Sequence, residues 1–92
     1  MIKSWRHKGL NLFYDTGSTA KIQGKHADKL HDILQALDFA TAPQQMSFPG
    51  LEFHALKGDL KGFYSVKVSA NWRVIFAFEG KDAILVDYLD YH

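Results

Sequence analysis

Cysteine is absent from all 92 residues, which removes disulfides and thiol catalysis from consideration and fits a reducing, cytoplasmic setting. Proline occurs only twice, at Pro43 and Pro49, and both mark a loop over residues 41–50. No apolar run approaches the ~20 residues that a membrane span requires. The opening Met1-Ile-Lys-Ser-Trp-Arg6 carries charges with no apolar signal region behind them. The chain is thus expected to be a single domain over 1–92, off the membrane. Metal-binding patterns are missing as well, since His26 and His31 stand five apart and share no helical face. Glycine-rich phosphate loops are likewise missing. Gly58-Asp-Leu-Lys-Gly62 leads into a strand-like run and reads as a turn. No metal and no cofactor are expected. The chain shows no repeat, no low-complexity segment and no linker.

Charge of either sign is scarce in sum, at +1, but it is unevenly distributed. Residues 1–25 hold Lys3, Arg6, Lys8, Lys21 and Lys25 against Asp15 alone, and residues 26–60 are net acidic. A basic N-terminal section suits a polyanionic partner, although a solvated surface has the same composition. Hydrophobic residues make up 47% of the chain and aromatics 14%, enough for one core in a folded domain.

The C-terminal half alternates with a period of two. Tyr64, Val66 and Val68 share one face, and Ser65, Lys67 and Ser69 the other. After a break at Ala70-Asn71, Trp72, Val74, Phe76 and Phe78 share a face against Arg73, Ile75 and Ala77. A turn over 79–82 leads to a third strand over 83–88, and the short connections predict an antiparallel meander. Upstream, Leu30, Ile33, Leu34 and Leu37 recur at helical spacing over 26–40, with Lys29, Asp32 and Gln35 opposite. A shorter helix over 9–15 would bury Leu10 and Phe13, and edge strands are expected at 2–5 and 51–56. The pattern predicts an α+β fold with two N-terminal helices on one face of a small, mainly antiparallel sheet. Ser65, Lys67 and Arg73 would then lie on the face turned away from the helices, making it polar and partly basic.

Dispersed polar groups remain: His54, Lys57, Arg73, Asp90, Tyr91 and His92. Phosphodiester cleavage by a 2′-hydroxyl needs a base, cations for the charge that builds on phosphorus, and an acid for the leaving oxygen. Histidine suits both proton roles near neutral pH, and arginine suits the phosphate. From composition alone the ordinary reading prevails: an isolated His54 is more often an exposed or merely satisfied histidine, and Arg73 in a strand more often a solvated charge.

Four segments carry a more specific signal: Met1 to Gly9, Leu56-Lys-Gly-Asp59, Asn71-Trp-Arg73 and Asp87-Tyr-x-Asp-Tyr-His92. In this order and spacing, from the first residue to the last, the chain resembles the HigB toxins of the RelE/ParE toxin–antitoxin superfamily. The resemblance implies a RelE-like, microbial-ribonuclease-type fold and a ribosome-dependent endoribonuclease, an mRNA interferase. Such an enzyme cuts mRNA in the small-subunit decoding site through a 2′,3′-cyclic phosphate. It also implies a HigA-type helix-turn-helix antitoxin as partner, with operator DNA reached only through that antitoxin. Carried over residue by residue, His54, Asp90, Tyr91 and His92 are the implied catalytic group. Arg73 is the implied phosphate contact, assisted by Lys57 and Lys67, and Lys3, Arg6, Lys8, Lys21 and Lys25 would dock on ribosomal RNA. Leu89 departs from the family's frequent acidic residue and touches none of these roles. The competing reading is a non-nuclease, ParE-like toxin or an operon co-regulator, whose relatives lack the His54 and Asp-Tyr-His set.

In a continued strand Asp90 and His92 would share a face and Tyr91 would take the other. Convergence therefore predicts that regular pairing stops near Leu89, with the last three residues as the working end. Residues added after His92 are expected to harm activity more than stability.

Overall fold

The computed structural model describes residues 1–90. Helices α1 (Lys8–Thr16) and α2 (Ala27–Phe39) are followed by strands β1 (His54–Ala55), β2 (Phe63–Ser69), β3 (Trp72–Glu79) and β4 (Asp82–Asp90). The strands lie side by side in chain order, each antiparallel to its neighbour. The expected α+β layout is therefore present. The N-terminal segment joins the sheet as two parallel bridges, Ile2 to Ala83 and Trp5 to Val86, on the outer edge of β4. The strand expected over 51–56 contracts to His54–Ala55, because Glu52 takes a left-handed φ of +48° that interrupts extended backbone. At the other hairpin Gly80 supplies the positive φ (+62°) favoured at the first central position of a two-residue turn.

Both helices end within a residue or two of their expected limits. The start of α1 is set by an unusual cap: the Leu10 N–H donates to His7 Nδ1 at 2.9 Å. Gly17, at φ +79°, closes the other end through a bond from its N–H to Phe13 O at 2.8 Å. In α2, Leu30, Ile33, Leu34 and Leu37 are buried. They form one core with Val66, Val74, Phe76, Val86 and Tyr88 of the sheet. Each such side chain contributes about 1.5–3 kcal/mol on burial. Asp38, an acid in the last turn where the helix dipole disfavours it, accepts the Ile2 N–H at 2.9 Å. This bond ties the N-terminal segment to α2.

One irregularity organises β4. Ile75 pairs with Asp87 and Ala77 with Ile84, so Leu85 and Val86 together face Phe76 as a bulge. Leu85 sits at φ +56°, and its N–H donates to Ser4 Oγ at 2.9 Å. The Arg6 N–H donates to Val86 O at 2.8 Å. Beyond the bulge, Val86 and Tyr88 turn toward the helices, and Asp87 and Leu89 share the opposite face with Ile75 and Arg73.

Where β4 meets α2 lies a buried polar contact. His26, 3% exposed, places Nδ1 2.7 Å from Tyr88 Oη, and its Nε2 has no partner among the described residues. Tyr88 stacks on Trp72 at 4.6 Å and also receives the Gln23 N–H. Burial pushes the His26 imidazole below its ordinary pKa near 6.5, and the charge of Lys25 adds to this. The unfolded chain therefore takes up this proton first as pH falls. The stability that depends on a neutral His26 is complete above about pH 6.5 and is lost as pH drops through the depressed folded value. Urea denaturation should show this loss, and His26→Gln should flatten it. Tyr88→Phe, which removes the hydroxyl, should cost about 1–2 kcal/mol at pH 7.5.

Candidate active site

On the sheet face away from the helices, register alone builds a row. His54 lies opposite Ser65, Ser65 opposite Ile75, and Ile75 opposite Asp87. The next row toward the end of β4 is Lys67, Arg73 and Leu89. Alternation puts His54 within about 7–8 Å of Lys67 as a diagonal neighbour. This face is less polar than alternation predicts. Ser65, Ile75 and Ala77 are buried at 2%, 4% and 8% exposure, so the basic part is confined to the end bearing Lys67 and Arg73.

Each functional position is fixed by a core residue beside it in sequence. Phe53 stacks on Tyr64 at 5.7 Å, and Tyr64 on Phe76 at 6.0 Å, so His54 must project from the other side. Leu51, 8% exposed, anchors the segment, and its carbonyl accepts the Lys67 N–H at 2.6 Å. Val66 and Val68 hold Lys67 between them, and Trp72 and Val74 do the same for Arg73.

The electrostatics are lopsided. Arg73 is half-buried, and its Nε and Nη1 are sequestered from solvent with no hydrogen-bond partner among the described residues. Buried guanidinium donors without acceptors are costly, and a phosphate or carboxylate would satisfy them. Lys67 is engaged, with its Nζ 3.0 Å from Glu52 Oε2. This hydrogen bond holds the Glu52 carboxyl below the usual carboxylate range, helped by the charge of Lys67 and, more weakly, by Arg73 and His54. Glu52 also reaches His54 through its backbone, because its carbonyl lies 3.2 Å from His54 Nδ1. A carbonyl only accepts, so Nδ1 carries the proton and Nε2 is the lone-pair nitrogen of the neutral ring.

The remaining expected residues are placed less tightly. Lys57 is exposed at the start of a 3₁₀ turn (Gly58–Leu60), three residues past His54. Asp90 pairs with Trp72, at a register position of the set that includes Tyr88 and Val74, on the opposite side of the sheet from Arg73. Regular pairing thus extends one residue beyond the expected limit at Leu89. The expectations for Tyr91 and His92 lie outside the described residues. Lys3, Arg6, Lys8, Lys21 and Lys25 are all exposed. The loop carrying Lys21 crosses α1 at Gly9, where a Cβ would stand 2.9 Å from Lys21 O. Arg6 sits apart, its guanidinium 6.0 Å from the Phe63 ring. Glu52 was missed from sequence. The available signal was alternation, since an edge strand over 51–56 puts Glu52 and His54 on one face.

Residues 3–92 match the family described as the RelE-like toxin of the type II toxin–antitoxin system HigB. The chain belongs to the HigB-like toxin family. It is 42% identical to the Endoribonuclease HigB of Proteus vulgaris, with all of both chains covered. It is 33% identical to Toxin HigB-1 of Vibrio cholerae, over all of this chain and 98% of that one. Among solved structures, this HigB-like toxin superposes on the YoeB–YefM complex from Staphylococcus aureus with a TM-score of 0.60 at 16% identity. That match covers 100% of this chain and 98% of the other. The YoeB/ParE toxin from Agrobacterium tumefaciens gives 0.57 at 15% identity, over 97% of this chain and 99% of that one. These two likenesses concern the fold.

If Arg73 is held for an anion rather than for folding, Arg73→Met should stabilise the isolated toxin by about 1–2 kcal/mol. The urea midpoint should rise with an unchanged m-value.

Proposed function

We propose that this toxin is a ribosome-dependent endoribonuclease, an mRNA interferase that cuts mRNA in the decoding site. The observation that carries this reading is the Arg73 guanidinium, with two buried nitrogens that have no partner among the described residues, on the same sheet face as Lys67 and His54. The full-length likeness to a relative named as an endoribonuclease supports it. In the proposed reaction a base takes the proton of the 2′-hydroxyl and that oxygen attacks phosphorus. The charge then collects on the phosphorane oxygens, and an acid protonates the departing 5′-oxygen. The products are a 2′,3′-cyclic phosphate and a 5′-hydroxyl. These steps call for proton carriers and cations. His54, with its Nε2 free to move a proton, shares acid and base duty with His92. Arg73 takes two phosphate oxygens, assisted by Lys67 and Lys57. Asp90, across the sheet from Arg73, would act around the end of β4 to orient a histidine or accept from the 2′-hydroxyl, and Tyr91 stacks on a base or bonds to the phosphate.

Lys3, Arg6, Lys8, Lys21 and Lys25 supply docking charge for ribosomal RNA, so association should weaken steeply with salt. A HigA-type helix-turn-helix antitoxin neutralises the toxin and carries it to operator DNA, and the setting is the cytoplasm. The match to a family described as the toxin of a type II toxin–antitoxin system supports a protein partner of that kind.

The test is induction followed by mapping of mRNA 5′ ends, with purified 70S ribosomes present or absent in the matching in vitro assay. Cleavage should require ribosomes, and His54→Ala should lower its rate by about 10²–10⁴-fold. Near-full cutting by His54→Ala would remove His54 from the reaction. Filamentation with a DNA-damage response, and no cut mRNA, would point to a gyrase poison instead.

A further inference from the structure

Glu52 holds two residues of the site at once, and it does so from an uncommon backbone conformation. At φ +48° it is one of three non-glycine residues with positive φ among those described. Its carbonyl lies 3.2 Å from His54 Nδ1, and its carboxylate 3.0 Å from Lys67 Nζ. We propose that Glu52 is a positioning residue for RNA cleavage. Its left-handed backbone sets the tautomer of His54, and its side chain restrains Lys67 until a phosphate displaces it. This rests on the reading of His54 as a proton carrier.

The two functions are carried by different atoms and so separate by substitution. The carbonyl is positioned by the path of the chain between two fixed points. These are Leu51, whose carbonyl accepts the Lys67 N–H, and His54, paired with Ser65, and that path uses a left-handed residue at position 52. Glycine and asparagine tolerate the left-handed region, and a β-branched residue does not. With the carbonyl in place, only Nδ1–H satisfies it, so Nε2 is the nitrogen that faces the reaction. If the carbonyl swings away, both tautomers become available to an exposed ring, and the fraction able to act at Nε2 falls. The carboxylate has a different effect. It occupies an ammonium that would otherwise meet the RNA backbone, so its removal should tighten substrate binding without altering the proton transfer.

The experiment uses the full-length toxin with programmed ribosomes as substrate, together with ¹⁵N-detected NMR of the His54 ring. Wild type should show the Nδ1–H tautomer, and finding Nε2–H would overturn the proposal. Glu52→Gly and Glu52→Asn should keep kcat within about twofold of wild type and retain the tautomer. Their KM should fall by about two- to fivefold as Lys67 is released. Glu52→Val should lose about tenfold or more in kcat and show mixed tautomers. If Glu52→Val does not fold, the glycine and asparagine variants still decide: a loss of kcat in both, or an unchanged KM, overturns the proposal. Glu52→Val with wild-type kcat would also overturn it. His54→Ala run alongside separates the two readings. An active His54→Ala defeats the role of His54, whereas an inactive one beside a fully active Glu52→Val defeats only the role of Glu52.

Discussion

One extra residue in β4 sets the geometry of everything that follows it. With Leu85 and Val86 both facing Phe76, the strand's two-residue alternation restarts half a period out of step. Without the bulge, Tyr88 would leave the helices and its contact with His26, and Asp87 and Leu89 would turn inward. The bulge is held from outside by the N-terminal segment, through Ser4 Oγ on the Leu85 N–H and the Arg6 N–H on Val86 O. A left-handed leucine persists only when its surroundings over-determine it. Those two bonds, together with the bridges at Ile2 and Trp5, provide that determination. The first six residues thus control the face on which the last strand presents its side chains.

The same logic explains how a small site can be stiff. His54, Lys67 and Arg73 each follow or precede a side chain locked in the core, and a rotation that misplaced one would pull a hydrophobic group out. Rigid elements place functional groups better than loops do. Charge is balanced differently. Glu52 acts electrostatically with Lys67 and, more weakly, with Arg73 and His54, yet the Arg73 Nε and Nη1 have no hydrogen-bond partner among the described residues. The cost in folding energy and the affinity for an anion have the same origin.

Much of this was readable in the sequence. Leu30, Ile33, Leu34 and Leu37 located α2, and the alternations around Val66 and Val74 located β2 and β3 with the correct faces. Those patterns work because burial is their direct cause. The cap on α1 was hidden, because histidine is not among the residues that announce an N-cap. The bulge was hidden too, since a left-handed leucine carries no compositional mark and depends on Ser4, 81 residues away. In the candidate site, the rows from His54 to Asp87 and from Lys67 to Leu89 follow from registers that alternation alone cannot assign. Glu52 is exposed, as acids on an edge strand commonly are, and neither its positive φ nor the contact of its carbonyl with His54 carries a compositional mark.

The short strand β1 and the bridged edge of β4 also govern how the protein meets copies of itself. A bare sheet edge invites a second chain to extend it. Here one edge offers two residues of ladder, and the other is occupied by the N-terminal segment, with Lys3 and Arg6 among its residues. A net charge of +1 provides almost no repulsion between molecules near neutral pH. What hinders edge-to-edge pairing is therefore the shape of the sheet's borders rather than charge.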